Sequence, residues 1–416
     1  MDFGIIINDG SELFSELAIK ENEKTLILYN WQRRAIKYFF KHEQAVLECA
    51  TGVGKSFCAI HIMKELLKKH KDMWTLIVVP KNVILEKTWY KELYDNGFPI
   101  QDIGIYYGQI KEYGKITLTN MQNIHKIPLE NYDFIIWDEV HNYGTKRMLK
   151  YLAYPFKYKL GLSATVERMD AAHWDILKHF DHNKFSYTAK QALDEGILNP
   201  FNFFNIGVKM DEETEVKYEQ LTLELNTMVR MIGGWSMFNR CKDPVKKAQI
   251  LKKMNARKQL ILNYSKKFNV VKGICLKHKK DKILVFNEYN EQTNKCYWHL
   301  LDIGLPAKIV HSGIKPKERE QNLIDFKLNK FNILLTSKVL DEGYNLPSID
   351  TAIIMAGNST PKQTIQRMGR VLRKKDKIST LYQVYVCGTF EEVQAHRRAK
   401  TFKELCSEYD EGVVEE

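Results

Sequence analysis

The sequence has no hydrophobic run long enough to cross a membrane. None of its 416 residues lies in a stretch approaching the ~18 uninterrupted apolar residues of a membrane-spanning helix. The chain begins with Met1-Asp2-Phe3-Gly4, which lacks the basic residues that open a secretory signal. These absences argue against an integral membrane protein and against a secreted one.

Cysteine is present, but not in a pattern that binds zinc or forms disulfides. The seven cysteines include no Cys-x-x-Cys pair, and their number is odd. We therefore expect a reducing compartment, with neither a disulfide framework nor a zinc site. With 44% apolar and 27% charged residues, the composition excludes a largely disordered or collagen-like chain.

Acidic residues are scarce in one segment only. Residues 230–282 contain 16 Lys or Arg and two acidic residues, Asp243 and Asp281, so the segment carries a net charge of +14. The whole chain carries +12, which leaves about −2 for the rest. Such a concentrated cationic block predicts a polyanionic partner, nucleic acid first. The alternative is a solvated helix face.

Short apolar runs alternate with helix-forming stretches in two parts of the chain, which predicts two α/β domains with parallel sheets. The first set of predicted strands comprises residues 45–47, 75–79, 134–137 and 158–162. The second set comprises residues 283–286, 307–310, 332–335, 351–355 and 381–386. Between the two sets, helix formers broken by Gly233-Gly234 predict a helical insertion.

The resulting organisation has five parts. A short N-terminal segment, 1–24, precedes a first α/β domain, 25–207. A basic helical insertion or linker, 208–272, leads to a second α/β domain, 273–395. The final part, 396–416, is expected to be a helix followed by an acidic tail.

Residues 49–56, Cys-Ala-Thr-Gly-Val-Gly-Lys-Ser, follow a predicted strand and open a predicted helix. This is the setting of a phosphate-binding loop, whose backbone N–H groups surround phosphate oxygens. Here those groups would belong to Thr51, Gly52, Val53 and Gly54. Lys55 would reach the β- and γ-phosphates, and the Ser56 hydroxyl would bind Mg²⁺. Cys49 stands where the strict pattern has glycine, a departure that a small residue should tolerate. The alternative is a glycine-rich turn without a ligand.

The apolar run 134–137 ends in Asp138-Glu139-Val140-His141. A carboxylate at the carboxyl end of a buried parallel strand is expected beside the phosphate loop. Asp138 would hold Mg²⁺, directly or through water, and Glu139 would orient and deprotonate the attacking water. The alternative is a solvent-exposed acidic turn.

Residues 363–373 are dense in arginine. Arg370 and Arg373 lie three positions apart and would share a helix face. If the second domain closes on the first, both would act as arginine fingers on the γ-phosphate. The alternative is a basic surface helix.

Taken in order, these segments resemble the motifs of superfamily 2 helicases and translocases. The resemblance spans about residues 29–390 and rests on 29–32, 49–56, 77–80, 138–141, 160–168, 282–286, 311–313, 336–347 and 363–373. The DExH box at 138–141 and the Leu-Ser-Ala-Thr-Val-Glu-Arg stretch look most like the duplex-DNA group. That group includes UvsW-type branch-migration helicases, XPB-type repair helicases and the motor subunits of restriction enzymes. The resemblance implies two RecA-like domains with an ATP site in the cleft between them.

The same resemblance implies roles for single residues. Gln32 would read adenine, and Gly343 would lie near the nucleotide. The residues that would couple the nucleotide state to the grip on DNA are His141, Ser163, Thr165 and Gln366. Val166 replaces a usual proline, which should relax that turn. Asn345 replaces a ribose-contacting aspartate, which should weaken nucleotide affinity.

The basic insertion is the expected DNA-contact element. UvsW-type relatives carry an N-terminal DNA-binding domain, for which residues 1–24 leave no room. Trp235 and Phe238 follow the glycine turn and would stack on an end base pair, a contact worth roughly 1–3 kcal/mol per base. The cations expected to hold phosphates are Arg240, Lys252, Lys253, Arg257 and Lys258. The alternative is ordinary hydrophobic core between two linker helices.

These features and the resemblance together predict an ATP-dependent DNA helicase or translocase, with ATP and Mg²⁺ as cofactors. Branched or duplex DNA as the substrate is implied by the resemblance alone. Two alternatives stay open: an RNA helicase, and a DNA-translocating or DNA-binding subunit that acts with a partner nuclease. We expect a monomer, because two domains of one chain complete the ATP site, and replication or recombination proteins as further partners. A composition rich in Lys, Asn and Tyr suits an AT-rich genome, such as that of a phage. We expect the protein to be located in the cytoplasm of a bacterium or of a phage-infected host.

Overall fold

The structure, a computed structural model, describes residues 28–168, 170–337, 346–355 and 377–415. Its first sheet has eight strands in the order β4-β3-β5-β2-β6-β7-β1-β8. The strands are β1 (Gln44–Cys49), β2 (Thr75–Val79), β3 (Ile103–Tyr107), β4 (Ile110–Lys111), β5 (Ile116–Asn120), β6 (Phe134–Trp137), β7 (Tyr158–Ser163) and β8 (Lys184–Tyr187). Neighbouring strands are parallel except β3 and β4. The central strands are apolar along their whole length because helices cover both faces of the sheet.

The second sheet has seven strands in the order β11-β12-β10-β13-β14-β9-β15, and its described pairs are all parallel. The strands are β9 (Phe201–Val208), β10 (Ile283–Phe286), β11 (Ala307–Val310), β12 (Ile333–Thr336), β13 (Thr351–Ile354), β14 (Ser379–Val386) and β15 (Glu408–Val414). The prediction of two parallel α/β sheets is confirmed. Every predicted strand is present, with ends shifted by at most two residues.

Helices connect the strands and cover the sheets. In the first α/β unit the described α-helices are Asn30–His42, Lys55–Lys69, Asn82–Ile84, Lys91–Asp95, Lys146–Leu152, His173–Lys178 and Ala189–Asp194. From residue 212 onward they are Glu212–Met231, Trp235–Phe238, Pro244–Leu262, Ser265–Lys277, Asn290–Leu301, Pro316–Lys327 and Phe390–Lys403. No helix in these described ranges is long and apolar enough to cross a membrane.

The chain enters the second sheet earlier than the predicted domain boundary at residue 207. Strand β9 pairs along its whole length with β14 on one side, and from Asn202 to Val208 with β15 on the other. Its aromatic residues Phe201 and Phe203 are fully buried. Residues 201–207 therefore belong structurally to the second sheet, although their position in the sequence adjoins the last helix of the first unit.

The predicted helical insertion is present and consists mainly of two long helices that pack against each other, Glu212–Met231 and Pro244–Leu262. Asp211 caps the first helix by accepting from the Thr214 N–H. Asp243 caps the second by accepting from two N–H groups, ahead of a proline in the first turn. Such caps satisfy N–H groups that a helix start otherwise leaves without a partner. The small core between the helices contains Leu225, Val229 and Ile250.

The insertion is joined to the second sheet by polar contacts at its base. The Lys258 ammonium donates to the Tyr289 hydroxyl at 2.8 Å, just beyond the end of β10. Gln292 donates to the Leu262 carbonyl oxygen at 2.9 Å, and the Phe390 N–H donates to the Tyr218 hydroxyl at 3.3 Å. These contacts attach the insertion to the second sheet, so we expect the two to move together.

Lys267 counts toward the basic segment in the sequence, yet it is fully buried. Its ammonium donates to both oxygens of the buried Glu391 carboxylate, at 2.8 and 2.9 Å. Burial lowers the pKa of Lys267 and raises that of Glu391, against the attraction between the two groups. This pair ties helix Ser265–Lys277 to helix Phe390–Lys403, and it takes one cation away from any DNA-facing surface.

The expectation of an acidic tail at the C-terminus is wrong. Residues Glu408–Val414 form β15, the edge strand beside β9. The Glu411 carboxylate, counted as a tail charge, accepts hydrogen bonds from Asn205 and Tyr409 at 2.7 and 2.8 Å. Both partners lie on strands of the second sheet, so Glu411 belongs to a hydrogen-bonded edge strand rather than to a solvated tail.

Candidate active site and nucleic-acid interface

The predicted phosphate loop lies at the carboxyl end of β1, between that strand and helix Lys55–Lys69. Gly52 and Gly54 have φ angles of 88° and 92°, in the left-handed region where other L-residues are strained. A Cβ on Gly54 would also lie only 3.0 Å from the Gln32 amide nitrogen. The helix start leaves its first N–H groups without intrahelical partners, at the end of the helix that adjoins the loop. This is the geometry that binds phosphate.

Two side chains in the loop are poised for an anion. The buried Thr51 hydroxyl has no hydrogen-bond partner in the described part of the chain. The Lys55 ammonium donates back to the Cys49 and Ala50 carbonyl oxygens, at 3.0 and 3.5 Å. Burial raises the pKa of the Cys49 thiol to about 12, so it is a small neutral group. The departure from the strict glycine pattern therefore places no charge in the loop.

Gln32 connects the first helix to the loop. Its side chain is almost fully buried, and its oxygen accepts from the Tyr29 N–H at 2.9 Å. Its nitrogen lies 3.5 Å from the Gly54 carbonyl oxygen. The structure thus brings Gln32 to the phosphate loop, while its reading of adenine stays a prediction.

Asp138 and Glu139 leave the carboxyl end of β6, which is separated from β1 by β7 alone. At the usual spacing of parallel strands this puts the two strand ends about 10 Å apart. Glu139 has a φ of 48°, so the chain turns sharply immediately after Asp138. The turn keeps both carboxylates at the sheet edge that carries the phosphate loop.

A chain of polar contacts leads from Glu139 to the turn after β7. The Glu139 carboxylate lies 3.3 Å from His141 Nδ1, which is also 2.9 Å from the Ser163 hydroxyl. Ser163 donates to the Thr165 carbonyl oxygen at 2.6 Å. Arg168 donates to the His141 carbonyl oxygen, closing the contact between the two turns. Three residues predicted to couple the nucleotide to DNA are therefore in one hydrogen-bonded group.

Glu48, which the sequence does not single out, holds this turn from the other side. Its carboxylate accepts from the Val166 N–H at 2.8 Å and from Lys184 and Ser186 at 2.8 and 3.1 Å. Since Glu48 lies in β1 just before the phosphate loop, it joins the loop to the turn that contains Val166. Val166 itself is buried, so the residue that replaces a usual proline is held by packing and by this bond.

We expect Glu48→Gln to lower the free energy of unfolding by about 1–2 kcal/mol at neutral pH, because bonds to a charged acceptor are lost. Burial alone would raise the pKa of Glu48, but the bonds from Lys184 and Val166 hold it below the ordinary 4.5. The stabilisation is thus complete above pH 4.5 and is lost as the pH falls through the lower folded value. Urea unfolding at neutral and at acidic pH would measure this. Glu65→Gln, which breaks an exposed pair with Lys68, should cost little. Equal losses of stability in both variants would contradict the inference that the Glu48 bonds stabilise the fold.

Five predicted site residues lie outside the described residues: Gly343, Asn345, Gln366, Arg370 and Arg373. Ser56 occupies the first turn of the helix after the phosphate loop, as expected for a metal-binding hydroxyl. The described residues of the candidate nucleotide site therefore all belong to the first α/β unit.

The two aromatic residues predicted to stack on DNA lie side by side, with their ring centroids 6.0 Å apart, but they differ in exposure. Phe238 packs against the small core of the insertion, with the Lys247 ammonium over its ring. Trp235 is 49% exposed and follows Gly233 and Gly234, whose φ angles of 89° and 96° form the turn. Ordinary packing therefore accounts for Phe238 but not for Trp235.

Most of the cations predicted to hold phosphates have partners within the chain. Lys253 pairs with Glu224, and Arg257 donates to the Thr222 hydroxyl and lies over the Tyr218 ring. Lys258 binds Tyr289 as described above. The more exposed cations are Arg230, Arg240, Lys242, Lys246 and Lys252. The first three flank the glycine turn in the sequence, whereas Lys246 and Lys252 lie in helix Pro244–Leu262, where Lys246 pairs with Asp243.

Comparisons with known proteins agree with the arrangement of two α/β units that contain helicase-like motifs. Residues 25–168 match the model of the type III restriction enzyme res subunit, and residues 266–375 match the helicase conserved C-terminal domain. The DNA 3'-5' translocase XPB2 of Sulfurisphaera tokodaii is 27% identical over 89% of this chain and 84% of its own length. The DNA 3'-5' helicase XPB of Mycobacterium tuberculosis is 23% identical over 84% of this chain, which spans only 58% of that relative.

A solved structure gives the same fold. The helicase domain of Pyrococcus furiosus Hef aligns with 88% of this chain and 96% of its own, with a TM-score of 0.62 and 16% identity. The two matched domain models follow one another in the order of the two sheets described above. Together with the similarity to the XPB-type relatives, they support the resemblance to superfamily 2 helicases.

Proposed function

We propose that the chain is the motor of an ATP-dependent DNA helicase or translocase of the DExH type, acting 3′ to 5′ on duplex or branched DNA. The observation that carries the proposal is the placement of the glycine loop and the Asp138–Glu139 pair at one edge of the first sheet. The XPB-type relatives, named as DNA 3'-5' enzymes, support DNA as the substrate.

The residues around the loop fit a nucleotide with its metal. Hard oxygen ligands suit Mg²⁺, and the Ser56 hydroxyl and the Asp138 carboxylate would supply them. The unpartnered Thr51 hydroxyl and the N–H groups of the loop suit phosphate oxygens. Mg²⁺, when bound, neutralises charge on the phosphates. Lys55 would leave its two carbonyl partners to contact the β- and γ-phosphates.

Glu139 would orient the attacking water and accept its proton. The hydrogen-bonded group of His141, Ser163 and Thr165 would carry the change at Glu139 to the turn after β7. Arg370 and Arg373, contributed by the second domain, would complete the site when the domains close. Each cycle of closing and opening would then change the grip on DNA.

The insertion would be the part of the second domain that contacts DNA outside the motor core. Three of its exposed cations, Arg230, Arg240 and Lys242, flank the glycine turn in the sequence, and half-exposed Trp235 directly follows that turn. We propose that the cations hold phosphates and that Trp235 stacks on a terminal base pair at a junction. Because the base of the insertion is bonded to the end of β10, movement of the second domain would move this surface as well.

Replacing Arg230, Arg240 and Lys242 by glutamate should weaken DNA binding and flatten its salt dependence. Each lost phosphate contact lowers the slope of log affinity against log salt concentration by about 0.7–0.9. Fluorescence anisotropy with a labelled junction over a range of salt concentrations would give both quantities. Lys41→Glu, Lys71→Glu and Lys157→Glu in one control protein remove equally many exposed charges at the amino edge of the first sheet. A slope that is unchanged, or equally reduced in the control, would leave the basic surface as a solvated face.

The function itself is tested by ATP turnover of the purified chain with single-stranded DNA, duplex DNA, a four-way junction, RNA or no nucleic acid. Stimulation by DNA, greatest with the junction, supports the proposal. Stimulation mainly by RNA would favour the RNA helicase alternative. Stimulation by DNA without strand separation or branch migration would favour a motor subunit that serves a partner nuclease.

The remaining features of the proposal concern the setting of the enzyme. A monomer is proposed because both halves of the ATP site would come from one chain. We also propose replication or recombination proteins as partners and a cytoplasmic location. Both follow from the proposed action on DNA, which the XPB-type relatives support.

A further inference from the structure

Trp89 occupies an unusual turn of the chain beside the nucleotide site. Residues Leu85–Tyr90 form a π-helical turn between the α-helical segments Asn82–Ile84 and Lys91–Asp95. A π turn holds more residues than an α turn and therefore shifts which side chains face the core; such turns are frequent at functional sites. Here the fully buried Trp89 faces the core of the first sheet.

The indole of Trp89 is aimed at one carboxylate. Its N–H donates to Oδ2 of Asp138 at 2.9 Å. The other oxygen of the same carboxylate, Oδ1, accepts from the Glu139 N–H at 3.0 Å. Donors on both oxygens fix the rotation of the Asp138 side chain and therefore the direction of its oxygen lone pairs.

Burial alone does not produce this contact. Trp31 and Trp137 are also fully buried in the first α/β unit, and their indole N–H groups have no partner in the described part of the chain. Trp137 even adjoins Asp138 in the sequence. The fold therefore supplies the carboxylate with a donor from an element 49 residues away rather than from its neighbour.

We propose that Trp89 is a positioning residue that orients Asp138 for the Mg²⁺ of the nucleotide complex. The inference rests on the proposed function, since it assumes that Asp138 is a metal-binding carboxylate. Hydrogen bonds to metal-binding carboxylates typically change metal affinity or activity by about 10–100-fold when they are removed. The loss of the indole donor is thus expected to weaken Mg²⁺ binding more than nucleotide binding without metal.

The test replaces Trp89 by 3-benzothienylalanine, in which sulfur takes the place of the N–H while the ring keeps nearly the same volume. Trp89→Phe is a second variant that uses natural residues. The matched control makes both replacements at Trp137, whose indole N–H has no partner. The readout is the Mg²⁺ concentration that gives half-maximal binding of a fluorescent ATP analogue, with Mn²⁺ binding followed by electron paramagnetic resonance as a measurement independent of turnover.

We expect the half-saturating Mg²⁺ concentration to rise about tenfold in the Trp89 variants and to stay unchanged in the Trp137 variants. An unchanged value at position 89 overturns the inference. An equal rise at both positions overturns it too, because it would reflect loss of packing. If the unaltered protein binds the analogue independently of Mg²⁺, the proposed metal site fails as well, an outcome that the unaltered protein alone reveals.

Discussion

Glu139→Gln should reduce the rate of ATP hydrolysis by about a thousandfold while ATP binding persists. A positioned general base contributes about 10²–10⁴ to a rate, and glutamine cannot accept the proton of the attacking water. Glutamine keeps the size of the side chain, so the left-handed turn at φ 48° and the contact toward His141 should survive. Phosphate release in a single turnover, with ATP binding measured separately, would resolve the two effects.

The control for this variant is Glu130→Gln, an exposed glutamate before β6 that removes the same charge from the same domain. Its turnover should match that of the unaltered chain. If Glu139→Gln hydrolyses ATP at the normal rate, the base is another residue and the role of the carboxyl end of β6 must be reassigned. If it loses ATP binding as well, Glu139 contributes to the nucleotide pocket rather than to the chemical step.

Lys55→Ala should lower ATP turnover by about a hundredfold or more, because removal of one group that stabilises charge in the transition state typically costs 10²–10³. The ammonium already lies at the mouth of the loop, held by the Cys49 and Ala50 carbonyl oxygens. Alanine removes this charge but leaves the N–H groups of the loop in place, so weak ATP binding and most DNA binding should remain. Steady-state phosphate release with and without DNA, together with DNA anisotropy, would measure both.

Lys68→Ala is the matched control, since Lys68 belongs to the same helix and its side chain is exposed in a pair with Glu65. Normal turnover of Lys55→Ala would mean that the glycine loop does not bind the phosphates. A collapse of DNA binding together with turnover would mean that the loop supports the structure of the domain rather than its chemistry.

The central strands could be predicted because parallel strands covered on both faces are continuous apolar runs. Strand β9 could not, since it mixes asparagine with phenylalanine and pairs with residues about 180 positions later. The phosphate loop and the Asp138–Glu139 pair could be predicted because their residue types and spacing are local. The contact of Glu48 with Val166 spans 118 residues and depends on the order of strands, which no local pattern encodes.

The surface available to DNA could not be predicted from charge alone. The sequence shows how many cations a segment contains but not which of them have partners. Lys267 belongs to the basic segment, yet it is buried against Glu391. Lys253 and Arg257 likewise have partners on the neighbouring helix. The structure therefore reduces the number of cations in the basic segment that are available to contact DNA.

The position of β9 has a consequence for synthesis on the ribosome. The strands of the first sheet all emerge by residue 187, so this unit can form while the rest of the chain is still being made. Strand β9 must wait for β14, which begins at Ser379, and at about 5–20 residues per second this delay is roughly 10–40 s. During that time Phe201 and Phe203 lack their final cover, and the second sheet reaches its full width only after β15, Glu408–Val414, has been made.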